Sequence, residues 1–178
     1  EKCLRDFRKS IYLYGDVLKR CESSRDDRSR LATEMAIVSL QDEWAKYVRS
    51  IAFQSSTGKA STTSGLLITC SHPVKNEADF LTRLGLSIGD REPDWHVADV
   101  AIGKLRLLNP SNYSSLSANL GSTTSPEKFM RDYRNFVVHK YRNTAEKLKR
   151  NSEFVRLGYS GKLSELVFEI KGGGLKIY

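Results

Sequence analysis

Residues 125–150 read SPEKFMRDYRNFVVHKYRNTAEKLKR, and this stretch decides the fold class. Ser125, Pro126 and Glu127 supply the N-cap, the fixed φ and the early acid of a helix start. Placed at about 100° per residue, Phe129, Tyr133, Phe136, Val137 and Leu148 then fall into one apolar stripe. The opposite side carries Arg131, Asn135, His139 and Arg142 at steps of four, four and three, with Arg134 on the border. The spacing predicts one amphipathic helix running to about Leu157, where Gly158 stops it.

The same rhythm extends outward. Leu4, Phe7, Ile11, Tyr14 and Leu18 predict a first helix. Ser23, Ser24 and the DDRSR that follows read as a bend or a polar turn of continuing helix. A second helix is expected from about Arg30 to Phe53, with Leu31, Met35, Val38, Trp44, Tyr47, Val48 and Ile51 as its buried side. SSTGKASTTSG over 55–65 is a loop by composition, and Leu66 to Cys70 is a candidate strand. Ala78 to Leu86, ended by Gly89, reads as a short helix, and Trp95 to Leu108 as a longer one with Val97, Val100, Ala101, Leu105 and Leu108 inward. Pro110 opens another through Leu116 and Leu120, closed by Gly121. LVFEIK, a GGG turn and LKIY suggest a C-terminal β-hairpin. The expected fold is all-α, a single mostly helical domain over 1–178 with a small β appendage at 158–178.

Composition bounds the function. At 178 residues the chain is one ordinary domain or two very small ones, and 39% hydrophobic residues suffice for a core. No apolar run approaches the roughly 18 residues of a transmembrane helix, so no membrane partner is expected. Three cysteines (Cys3, Cys21, Cys70) are too few and odd for a disulfide scaffold. They point to a reducing compartment, and with no basic-then-apolar leader after Glu1 a cytoplasmic location is expected. The formal charge is +8, and residues 125–150 hold eight Lys/Arg against three Asp/Glu. A local field of that sign concentrates polyanions.

Arg134-Asn135-x-x-x-His139, in a basic helix late in an all-α chain, resembles the signature of the HEPN superfamily, whose pattern is Arg, four to six residues, then His. Asp42-Glu43-Trp44 to Arg49 is similar to the first conserved helix of the RiboL-PSP-HEPN branch. So is the later order of Trp95 opening a helix, Asn109-Pro110, a short helix and the YRNF motif helix. The resemblance covers roughly residues 30–150. Arg91 and His96 make a second Arg-x4-His pair, but Pro93 and a helix start interrupt it.

The resemblance implies a metal-independent endoribonuclease, needing no cofactor, of the kind used as a toxin or an antiviral effector. Its partners are then RNA and a restraining antitoxin or regulatory protein. Imidazole suits proton transfer, and the guanidinium fork suits phosphate oxygens and transition-state charge. In RNA the 2′-hydroxyl is a built-in nucleophile, and the implied products are 2′,3′-cyclic phosphate and 5′-hydroxyl ends. Arg134 clamps the scissile phosphate, His139 assists proton transfer, and Asn135 orients the imidazole or contacts the substrate. Arg131, Lys140 and Arg142 track flanking phosphates. Five residues apart on a helix, Arg134 and His139 diverge by about 140°. Two copies about a two-fold axis place two of each around a common cleft, and the family dimerises in this way, so a homodimer through the motif helix is expected.

Other constellations carry less. Cys70-x-His72 is a fragment of a metal site that no second pair completes, and no metal is expected. Neither a Gly-x-Ser-x-Gly elbow nor a phosphate-binding Gly-Lys-Ser/Thr loop is present. Trp44 and Trp95 are expected in the core, whereas Tyr133 and Tyr141 can either pack or stack on bases. Two rival functions stand beside the nuclease: a catalytically inactive HEPN module that binds RNA or a protein partner, and an all-α nucleic-acid-binding regulator. The regulator lacks a convincing helix-turn-helix spacing.

Overall fold

A computed structural model describes residues 2–21, 26–62, 64–121 and 127–157, and nearly every segment with three-and-four periodicity in them is helical. The order is α1 (Lys2–Arg20), α2 (Asp27–Ser56), α3 (Glu77–Arg83), α4 (Ala98–Leu108), α5 (Tyr113–Leu120), α6 (Glu127–His139), α7 (Arg142–Lys149) and α8 (Ser152–Leu157). No sheet forms among the described residues, so the fold is all-α. The expected strand at Leu66 to Cys70 is reduced to isolated bridges, Ser61 with Leu67 and Cys70 with Pro110, because no second strand lies beside it among the described residues. The expected turn at Ser23 and Ser24, the Ser125-Pro126 helix start and the C-terminal hairpin fall outside the described residues. No described helix is long and apolar enough to cross a membrane.

The packing divides into two compact units, Trp44–Ser125 and the pair of segments Glu1–Glu43 and Pro126–Tyr178. In the Trp44–Ser125 unit, Val48, Ala52, Phe80, Trp95, Ala101, Leu105 and Leu108 form the buried core. Phe80 meets Phe53 edge-on at 5.2 Å and stacks on Trp95 at 6.1 Å. Helix α3 starts where Asn76 accepts from the Asp79 backbone N–H, satisfying one of the free donors of the first turn. It ends sooner than Gly89, at Leu84, because Gly85 takes a left-handed conformation (φ 75°) that closes the last turn. Asn109 does the same for α4 (φ 49°) ahead of Pro110.

Charge also holds this unit together. Arg49 lies 5.5 Å above the Phe80 ring, ion-paired to Glu77 and donating to Glu92 at 2.7 Å. Trp95 Nε1 donates to the same carboxylate at 3.1 Å. The Arg49 hydrogen bond, assisted by Trp95, holds the Glu92 carboxyl below its ordinary 4.5 against the opposing pull of burial. A carboxyl depressed on folding stabilises above its unfolded pKa and loses that contribution as pH falls through the folded one. Glu92→Gln should therefore destabilise by about 1 kcal/mol near neutrality. In thermal melts its difference from the unmodified protein should shrink steadily below about pH 4.5.

In the other unit α2 departs from expectation. Leu31 and Met35 are 60% and 57% exposed, and the buried positions are Thr33, Glu34, Ala36, Leu40 and Gln41. On a straight helix Leu31, Met35 and Val38 point roughly 140° away from Trp44, Val48 and Ile51, so one buried face cannot hold both sets. In this unit the covered face carries Ala36 and Leu40, with the polar Thr33 and Gln41 completing it.

The predicted single helix to Leu157 is likewise corrected. Helix α6 ends at His139, Lys140 adopts φ 50°, and α7 begins at Arg142. Asn151 Nδ2 donates to the buried Asp132 at 2.9 Å. In a continuous helix those residues would stand about 28 Å apart, so the chain must turn back. Helices α7 and α8 thereby pack on α6, and Leu148 is fully buried. A left-handed lysine is strained, and a β-branched residue is worse there. Lys140→Val should lower stability by about 1–2 kcal/mol, whereas Lys140→Gly should not; denaturant midpoints decide.

Candidate functional site

The motif residues share α6, and its apolar stripe fixes their direction. Phe129 and Tyr133 are buried with their rings stacked at 6.2 Å. Tyr133 is thus a core residue, and its side of α6 is closed to ligands. Arg134 is 30% exposed, with Nη2 3.7 Å from an Asp42 carboxylate oxygen. Asp42 lies on α2, in the Asp42-Glu43-Trp44 stretch singled out in the sequence. A contact of that length between part-exposed groups is a weak one that leaves most of the guanidinium's donors for other acceptors.

Asn135 is half-buried one residue on, and His139 is exposed at the helix end. The His139 ring lies 6.0 Å from that of Tyr141, with 15° between their planes, an offset stack. Arg134 and His139 share no hydrogen bond among the described residues, as their angular separation on α6 requires.

The cations expected to track phosphates are distributed unevenly. Arg131 is four-fifths buried, 3.7 Å from Asp132. Lys140 is exposed on the turn. Arg142 does not extend the Arg131–Asn135–His139 row, because the helix breaks before it. It opens α7 and bonds Glu146 through Nε at 3.0 Å with a 94% exposed side chain. Lys147 lies 3.8 Å from Asp132. Lys128, Lys140, Lys149 and Arg150 make no ion pair among the described residues, so the positive field of this segment is only partly neutralised.

Sequence reasoning passed over Asp132, a carboxylate 2% exposed beneath the motif. The signal was faint, because at about 100° per residue Asp132 stands about 40° outside the Phe136 edge of the apolar stripe and about 20° from His139, so its position alone does not mark it as buried. Asp42 as the companion of Arg134 had no signal in local spacing.

The remaining candidates are simpler. The Cys70 thiol donates to the Leu108 carbonyl at 3.3 Å, His72 is exposed, and no cluster of three or more metal-ligating side chains occurs among the described residues. In the Trp44–Ser125 unit an apolar cleft of about 360 Å³ is walled by Trp44, Ile51, Leu105, Leu116 and Leu120, with Tyr47 and Asn119 as its polar groups. Its lining offers no acid, base or cation to a phosphate. No family model, curated protein or solved structure matches this chain.

Proposed function

We propose that the protein is a HEPN-type endoribonuclease that cleaves RNA through attack of the 2′-hydroxyl, leaving 2′,3′-cyclic phosphate and 5′-hydroxyl ends. One observation carries the reading: α6 presents a part-exposed Arg134 and, at its end, an exposed His139 within a segment of excess positive charge. The guanidinium binds the scissile phosphate and its developing charge, and the imidazole moves the proton. Asn135 orients the imidazole or the substrate, and Lys140 and Arg142 attract flanking phosphates.

The site is completed by a second copy of the chain. Leu31, Met35 and Val38 fall within about 60° of Asp42 on α2. The exposed apolar pair Leu31 and Met35 thus lies on the face that meets Arg134, and Val138 on α6 is also half exposed. Apolar surface beside the motif suits an isologous contact that brings two Arg and two His together. As a toxin or antiviral effector in a reducing cytoplasm, such an enzyme needs restraint by an antitoxin or regulatory protein.

The experiment is cleavage of RNA in EDTA with identification of the product ends. Cyclic phosphate ends that vanish with Arg134→Ala support the reading, and RNA bound but left intact refutes it. The second reading is a catalytically inactive module that binds RNA or a protein. Its support is that Asp42 already occupies one side of Arg134 in the free protein.

A further inference from the structure

We infer that Tyr141 is a nucleobase-stacking residue of this same site, so that the substrate is single-stranded RNA with an unpaired base beside the phosphodiester served by His139. This rests on the nuclease reading for the phosphodiester, but the stacking stands on its own observations.

Tyr133 and Tyr141 are both aromatic positions of the motif segment, and the structure separates them. Tyr133 is 1% exposed, whereas Tyr141 is 66% exposed. The Tyr141 ring is thus open to a ligand, and it already lies against the imidazole of the motif, 6.0 Å from the His139 ring. The backbone that carries the ring is also held in place. Tyr141 is the N-cap residue of α7, and its carbonyl accepts from Ala145 N–H at 3.1 Å and from Thr144 Oγ1 at 2.7 Å. The left-handed Lys140 before it fixes the direction in which the chain leaves α6.

The turn therefore places His139 and Tyr141 side by side, nearly parallel, with the intervening Lys140 exposed. A base laid on the open face of Tyr141 continues the stack. Its backbone phosphates then run past Lys140 and Arg142, and its sugar comes close to the imidazole. Stacking accepts any base, since every base has a π-face, but it requires one that is not already stacked within a duplex. The site gains selectivity for unpaired RNA without sequence readout.

The test is fluorescence anisotropy with a labelled 2′-O-methyl oligoribonucleotide, which lacks the nucleophile and stays intact, offered as a single strand and as a duplex. Tyr141→Ala should weaken single-strand binding by about tenfold or more and leave duplex binding unchanged. Tyr141→Phe should bind the single strand as the unmodified protein does. The inference is overturned by unchanged single-strand binding in Tyr141→Ala, by equal losses for strand and duplex, or by Tyr141→Phe losing as much as Tyr141→Ala. It is also overturned if Tyr141→Ala alters the oligomeric state, which would assign the ring to a subunit contact, or if the unmodified protein binds no RNA. Cleavage of unmethylated RNA, measured in parallel, separates the two ideas. Tyr141-dependent binding without cleavage ends the nuclease reading and keeps the stacking, whereas cleavage with Tyr141-independent binding does the reverse.

Discussion

His139→Ala is expected to lower RNA cleavage by about 100- to 10,000-fold, the usual loss when a proton-transfer group is removed. The same variant should keep the helical circular dichroism and the melting temperature of the unmodified protein. Both halves follow from where the residue sits. His139 is exposed at the last position of α6, and its ring contact is with the exposed Tyr141, so deleting it opens no cavity. Substitutions of that kind usually change stability by less than about 0.5 kcal/mol. Initial rates on a defined RNA in EDTA, read beside the melt, check the two together. Unchanged cleavage removes His139 from the mechanism. Lost cleavage with a lowered melting temperature assigns it a structural role instead.

Asp132→Ala should produce the largest change in stability, about 3 kcal/mol, without touching a residue that faces solvent. The Asp132 carboxylate is buried and receives the Asn151 side-chain amide at 2.9 Å, with Arg131 at 3.7 Å and Lys147 at 3.8 Å. These contacts tie α7 and the start of α8 back onto α6. Truncation removes the acceptor and leaves Arg131, four-fifths buried, with no other ion-pair partner among the described residues. Burying a cation in that way is what makes breaking such a cluster more destabilising than never having formed it. Asp132→Asn keeps the shape and one acceptor and should lose less. Urea unfolding monitored by circular dichroism measures both, and equal stability of Asp132→Ala and the unmodified protein would show that packing of Leu148 alone holds the turn.

Periodicity made the helices legible, since Leu4 to Leu18 and Phe129 to Val137 carry stripes that only a helix aligns. It misplaced the buried face of α2 because Leu31, Met35 and Val38 make an apolar stripe of their own in that half. Leu40 marks the face that is covered, but Thr33 and Gln41 beside it are polar and conceal the signal. The break at Lys140 was illegible for a related reason: no Gly or Pro marks it, and the turn exists because Asp132 and Leu148 find partners only if the chain reverses. Arg134, Asn135 and His139 do lie on one helix, as the spacing required. That Asp42 would stand against Arg134 depends on tertiary contact between α2 and α6, which no spacing encodes. Arg142 left the row for the reason that ended the helix.

The central proposal is that Arg134 and His139 act on one phosphodiester across two copies of the chain, and mixed assemblies test it most directly. Arg134→Ala and His139→Ala chains, each inactive alone, are refolded together and assayed on RNA. Recovery of cleavage in the mixture, with cyclic phosphate ends, is the predicted result. A mixture as inactive as its two components, although the chains have been shown to associate, contradicts it.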